Sequence, residues 1–216
     1  MISQMLIQAT LETLYMVFVA SFLAVVFGLP LGVLLLVSKK GHLLNKPLLH
    51  KILDTSINMT RSFPFIILII LLLPLSRFLI GTSIGSSASI IPLAISAIPF
   101  VAKLFENSLM EVEHGKIETT LSLGASNLEV VKMMLLESLP SLANNITITL
   151  ISLIGYSAMA GALGAGGLGD LAIRIGYQSY RGDVLFYAVV VIIVLVQIIQ
   201  SVGDYVVKRL RKHKYY

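Results

Sequence analysis

The feature that most limits what this chain can fold into is a series of apolar runs, each about long enough to cross a lipid bilayer. A helix needs about 20 mostly apolar residues to span the hydrocarbon. Five segments reach that length or approach it: 11–37, 63–80, 88–105, 141–160 and 184–207. An interfacial helix is expected over 47–60, just before the second. The third and fourth are the least apolar, because they carry Ser, Thr and Asn. With 56% hydrophobic and only 12% charged residues, the whole of 1–216 reads as one all-α, polytopic membrane domain with five transmembrane helices.

Charge orients the set. Lys39, Lys40, Lys46, Lys51 and Arg61 follow the first run, and Lys103, Lys116 and Lys132 fall between the third and fourth. Lys208, Arg209, Arg211, Lys212 and Lys214 close the chain. Five spans put all thirteen on one side and leave Arg77, Arg174 and Arg181 on the other. The positive-inside rule makes the rich side cytoplasmic, with the N-terminus outside and the C-terminus inside. The net charge of +5 therefore reflects topology, and the short basic loops form no stripe for nucleic acid. The absence of cysteine excludes disulfides, thiolate metal sites and cysteine nucleophiles. Because the first basic residue is Lys39, the start lacks the basic n-region of a signal peptide and is read as retaining its first span.

The polar stretch 106–140 interrupts the apolar runs and carries the most functional information. A short helix is expected over 113–123, ended by Gly124, a residue suited to the left-handed turn at a helix C-terminus. Ser126 and Glu129 have the spacing of a capping box that opens a second helix. Leu128, Val131, Leu135 and Leu139 recur at helical spacing as its apolar face. The pattern alone fits either an amphipathic helix on the membrane surface or a docking element.

Glu118-Thr119-Thr120-Leu121-Ser122-Leu123-Gly124-Ala125-Ser126 resembles the EAA loop of ABC-importer permeases, with Thr119 and Thr120 in place of the two alanines. The family's proline near Glu137 is absent, and Pro140 follows three residues later. Arg61-Ser62-Phe63-Pro64-Phe65, Gly81-Thr82-Ser83-Ile84-Gly85, Gly155-Tyr156-Ser157-Ala158-Met159-Ala160-Gly161 and Gly164-Ala165-Gly166-Gly167-Leu168-Gly169 are similar to the methionine, MetI-like, group of those permeases. The resemblance implies a type I importer fold in a bacterial cytoplasmic (inner) membrane. It implies a non-catalytic subunit that docks a separate ATPase through Glu118, Thr119, Leu121, Gly124, Ala125 and Ser126, with ATP and magnesium held by that ATPase. The expected partners are a second copy of the permease, an ATP-binding subunit dimer, an extracytoplasmic substrate-binding protein at the outer loops 81–87 and 161–183, and membrane lipid. The expected cargo is an amino acid, methionine in L and D forms.

Within the fourth run, Asn145, Thr149, Ser152, Tyr156 and Met159 are spaced to share one helix face. Such a face serves either as hydrogen-bonding glue between spans or as the lining of a translocation pathway. Ser157, Gly161 and Ala165 make a small-residue row beside it, and Gly28 and Gly32 flank Pro30 in the first run, where they pack closely or bend the helix. Gly164 to Gly169 satisfies G-x-G-x-x-G, but a membrane helix precedes it and no βαβ pattern surrounds it, so it reads as a tight, flexible outer turn. No G-x-x-x-x-G-K-[ST] occurs, which rules out a P-loop in this chain. His42, His50, His114 and His213 show no metal-ligand spacing, and no metal is expected. The alternatives are a permease for another small polar solute, or an ion-coupled secondary carrier. The second is disfavoured because no carboxylate lies in the middle of a span.

Overall fold

The structure, a computed structural model, describes residues 2–214. The side chains of His213 and Lys214, the latter counted in the basic tail, lie outside the described residues. Every regular element among the described residues is helical. The first is α1 (Ile2–Ser38), followed by α2 (Pro47–Ser62) and α3 (Phe65–Ile80). Next come α4 (Ser86–Met110), α5 (His114–Ser122), α6 (Asn127–Glu137) and α7 (Leu139–Gly161). A short α8 (Gly167–Asp170) runs into a π-helical turn (Leu171–Tyr177), and α9 (Gly182–Lys214) ends the chain.

Four helices, α1, α4, α7 and α9, are individually long and apolar enough to cross a bilayer. A fifth candidate crossing is the α2–α3 pair, bent by 103° at the break between them. Pro64 explains the break: it caps α3 with extended backbone, a conformation prolines also impose on the residue before them. With 16 residues α3 covers only about 24 Å, less than the hydrocarbon thickness, so it is shorter than the 63–80 run, and it packs on α4.

The core is built on the pairing of α1 with α4. Ala20, Ala24, Gly28 and Gly32 recur every fourth residue on α1, all buried. A Cβ on Gly28 would sit 2.8 Å from a Val101 methyl, and one on Gly32 2.7 Å from the Ala102 carbonyl oxygen. Small residues let two backbones approach this closely, and in lipid that packing replaces the hydrophobic drive of water. The opposite face of α1 exposes Phe18, Phe22 and Phe27, as expected of a surface turned to lipid. α7 packs on α4 and α9, where Gly203 of α9 accommodates Thr147.

The ends of the molecule differ in charge. Lys39 Nζ lies 3.6 Å from Met110 Sδ, which brings the loop after α1 to the end where α4 gives way to α5. The Gly203–Thr147 contact sets the later half of α9 beside the earlier half of α7, so the basic tail runs toward the same end. The lysines after α1, those of α4 to α6 and the basic tail thus gather at one end, while Arg61 lines a cavity with Ser96 of α4, away from that end.

At that end Lys103 of α4 lies 2.7 Å from Asp54 of α2 and 2.7 Å from Glu106 of α4. Glu106 is 2% exposed, and its contact with Lys103 is an ion pair without aligned hydrogen-bond geometry. A buried carboxylate without its cation is costly, so the triad ties the bent pair to α4.

Candidate functional site

The stretch 106–140 divides otherwise than the sequence pattern indicates, because α4 runs on to Met110. The helix–turn–helix proper is α5 and α6. In α5 the Thr119 and Thr120 hydroxyls each donate back to a carbonyl one turn earlier, Gly115 and Lys116, at 2.7 Å. Both are thereby satisfied inside the helix. Glu118 lies 3.4 Å from His114, also one turn away, and both are largely exposed.

Gly124 sits at φ +84°, the left-handed conformation that lets the chain leave α5. Its N–H donates to the Leu121 carbonyl at 2.9 Å, and the Ala125 N–H to Thr120 at 3.3 Å. The capping box that follows is formed in both directions. Ser126 Oγ accepts from the Glu129 N–H at 3.4 Å, and Glu129 Oε2 accepts from the Ser126 N–H at 2.7 Å and from its hydroxyl at 2.8 Å. These donors, the backbone N–H foremost, hold the Glu129 carboxyl below its ordinary pKa.

The apolar face of α6 differs from the predicted one. Val130 and Met134 are buried, packed with Leu36, Leu109 and Val112. Val131 and Leu135 are half-buried, while Leu128 and Leu139 are exposed. The leucine spacing matches helical periodicity, but the face that meets the body lies one residue away. What the shift leaves outside is an apolar edge. Leu123 is 84% exposed and Leu128 79%, flanking the turn, with Leu121 close by.

The joint between α6 and α7 is the single residue Ser138, and Pro140 occupies the first turn of α7. Ser138 Oγ donates to the Ser108 carbonyl at 3.1 Å, and Ser141 Oγ to Glu111 at 2.9 Å. Lys116 and Glu137 pair across α5 and α6. The helix–turn–helix is therefore fastened to the end of α4. A cavity of about 240 Å³ separates it from the loop after α1, with His42, His114, Glu118, Leu121 and Met134 in its lining. Burial, and then the nearby positive charge of Lys39, hold His42 below the ordinary histidine pKa.

The polar face of α7 divides into two parts. Asn145 is buried; its Nδ2 donates to the Leu104 carbonyl at 3.0 Å and to Ser108 Oγ at 2.6 Å. Thr149 is buried and donates to the Asn145 carbonyl at 2.8 Å. Both are occupied in helix packing. Ser152 is half-buried, Tyr156 stacks on Phe65 of α3 with ring centroids 4.5 Å apart, and Met159 is exposed.

At the opposite end the glycine run is held rather than flexible. A Cβ on Gly161 would lie 2.3 Å from the Asp170 nitrogen, and one on Gly169 2.4 Å from the Ala158 Cα. The Gly167 N–H donates to Glu12 Oε2 at 2.8 Å and the Leu168 N–H to Thr13 Oγ1 at 2.9 Å. The Gly85 N–H donates to the Gly164 carbonyl at 2.9 Å, which ties the start of α4 to the same loop. Glu12 and Thr13 escaped the sequence reading because their partners lie 155 residues away.

Residues 24–212 match the family of binding-protein-dependent transport system inner membrane components. The chain belongs to that family. It is 47% identical over 208 residues to a probable D-methionine transport system permease protein MetI of Vibrio cholerae, covering 96% of this chain and 92% of that one. It is 44% identical over 197 residues to the methionine import system permease protein MetP of Bacillus subtilis, covering 91% and 89%. A chain of the MetNI methionine ABC transporter, solved in inward-facing conformations, superposes with a TM-score of 0.95 at 42% identity, covering 96% of this permease and 97% of that chain. An amino acid ABC transporter solved with histidines shares the fold at a TM-score of 0.78 and 19% identity.

Proposed function

We propose that this permease is the membrane subunit of an ATP-driven ABC importer for methionine, in L and D forms. It works as a homodimer across the bacterial inner membrane, with the N-terminus outside and the C-terminus in the cytoplasm. Two copies of a separate ATPase take hold of the two α5–α6 elements. An extracytoplasmic binding protein delivers solute to the outer loops at 81–87 and 161–183.

The observation that carries this reading is the α5–α6 element itself. Its turn is closed by Gly124 and the Ser126/Glu129 capping box and it is fastened to α4, yet it leaves Leu121, Leu123 and Leu128 uncovered at the basic end. A turn this well defined with an apolar edge this exposed is suited to a protein partner. The methionine permeases it resembles along nearly their whole length support the cargo.

Five crossings make a thin wall, and a two-fold pair supplies ten with a route on the axis. Nucleotide-driven movement of the ATPases then rocks the two permeases between inward and outward access. Glu118, Thr119, Gly124, Ala125 and Ser126 shape the docking element, and Leu121 presents side chain to the partner. Ser152, Tyr156 and Met159 reach the route, while Asn145 holds α7 in register against α4 and Thr149 bonds within α7.

Uptake of labelled L- and D-methionine by cells carrying this chain with its ATPase and binding protein tests the reading. Disruption of Glu118 and Gly124 abolishes uptake if the coupling assignment is right, and persistence overturns it. Uptake of another small solute but not methionine overturns the cargo and leaves the importer standing. ATP-independent uptake driven by an ion gradient marks a secondary carrier instead.

A further inference from the structure

The bend between α2 and α3 encloses a cavity of about 220 Å³, lined by Thr60, Arg61, Phe65, Ser96, Phe100 and Tyr156 among others. That is the scale of one amino acid, since pockets for drug-sized ligands start at about 300 Å³. From these observations we infer that the cavity is a transit subsite for an α-amino acid zwitterion with an apolar side chain, and that Arg61 holds the carboxylate. The inference rests on the importer reading and names where in this chain the cargo pauses.

Depth is the first argument. Ser96 is ten residues into α4, which places it about 15 Å from that helix's outer end and about 21 Å from its basic end. The cavity it lines therefore lies near the bilayer midplane rather than at an interface. Arg61 opens onto the same space, and among the described residues it makes no ion pair or hydrogen bond. The loop-charge pattern of the sequence counts Arg61 among the basic residues at the cytoplasmic end. A guanidinium this deep must instead face protein or a water-filled route, and such residues mark ligand paths. Broken membrane helices with substrate at the midplane are the general pattern in transporters.

Chemical complementarity is the second. No carboxylate lines the cavity, so its one fixed charge is the cation of Arg61, which suits an anionic group in a two-pronged grip. The Thr60 hydroxyl donates to the Ser56 carbonyl at 2.9 Å and the Ser96 hydroxyl to Leu93 at 2.8 Å. Both hydrogens are spent, so each oxygen offers only lone pairs, the complement of an ammonium. Phe65, stacked on Tyr156, and Phe100 supply aromatic surface, which attracts both a cation over the ring face and a thioether at the ring edge. With no acid to hold the ammonium, binding is weak and depends on the carboxylate, as transit requires.

The test is uptake of labelled L-methionine by cells carrying the full importer, with Arg61→Gln, Arg61→Lys and Tyr156→Ala compared with wild type, and with Arg77→Gln as a control outside the cavity. Co-purification of the ATPase shows that each variant folds and assembles. We expect Arg61→Gln to lower uptake at least tenfold, Arg61→Lys to restore part of it, and Arg77→Gln to match wild type. The assembled complex without its binding protein should retain labelled methionine saturably, lose that retention in Arg61→Gln, and release the label to excess unlabelled methionine but not to methioninol, which lacks the carboxylate. Wild-type uptake with Arg61→Gln unchanged overturns the subsite, as does competition by methioninol as strong as by methionine. Absence of any amino acid uptake by wild type overturns the importer reading, and the subsite with it.

Discussion

Gly124 and Gly169 sit at opposite ends of the molecule and do opposite work. Gly124 turns the chain between α5 and α6 at φ +84°, and a Cβ there would meet nothing within 4 Å. Gly169 has room for nothing, because the backbone of α7 occupies the place of its missing side chain. The first glycine is required for shape and leaves space around it. The second is required for space and is enclosed. The difference separates an end prepared for a partner from an end closed upon itself.

Gly169→Ala gives the largest effect. Its Cβ strikes backbone that cannot rotate away, and overpacking of this kind costs about 3 kcal/mol. Most of the protein should be lost from the membrane fraction, with the survivor unfolding at lower temperature. Wild-type yield and melting of Gly169→Ala would falsify the closed-end reading. Gly124→Ala should cost about 1–2 kcal/mol, confined to the turn, because only the left-handed backbone is penalised. Faster amide hydrogen exchange in α5 and α6, with α1 and α4 unaffected, is the expected signature. If exchange rises throughout, the turn is more deeply integrated than described.

Leu128→Asp should leave melting within about 0.5 kcal/mol of wild type, as surface substitutions do, while lowering ATP-driven uptake about tenfold. Unchanged uptake would show that the exposed apolar edge is not where the ATPase docks. The smallest effect is one of pH. His42 faces Lys39, His114, His50 and Glu106, and its pKa is held down chiefly by burial. The unfolded chain takes up that proton as pH falls through about 6.5, and the folded chain only at lower pH. The contribution of His42 is therefore complete above that value and lost below it. His42→Gln should flatten the acid side of the stability profile slightly. An unchanged profile would mean that this histidine does not sense the cavity beneath α5.

The two ends were unequally legible in the sequence. The turn at Gly124 and the Ser126/Glu129 box are local, with every partner inside a few residues, so spacing alone reveals them. The orientation of α6 was read one residue off. Helical periodicity identifies a stripe, and Val130 with Met134 competes with the leucine row for the face that meets α4. Gly28 and Gly32 were recognisable as close-packing positions, but their partners Val101 and Ala102 were not. The staple at Glu12 and Thr13, the Lys103 triad and the Arg61 cavity each join residues far apart in the chain. Their chemistry depends on which helices become neighbours, and local pattern carries no record of that. The polar face of α7 was visible as a face, yet only packing divides Asn145 and Thr149 from Tyr156.

The bonds that bind α7 to α4 at Ser138, Ser141 and Asn145 have a mechanical consequence. Moved as one stiff beam, loaded at the basic end and pivoted where Gly85 and Gly161 are pinned to the glycine loop, the two helices and the α5–α6 element would scale any motion along their length. A beam reduces travel in proportion to distance from its pivot. Ser96 lies about 15 Å along an α4 of about 37 Å, so a displacement at the loaded end would arrive beside it at about two-fifths of its size. A coarse stroke outside the membrane would arrive in the middle of it as a fine one.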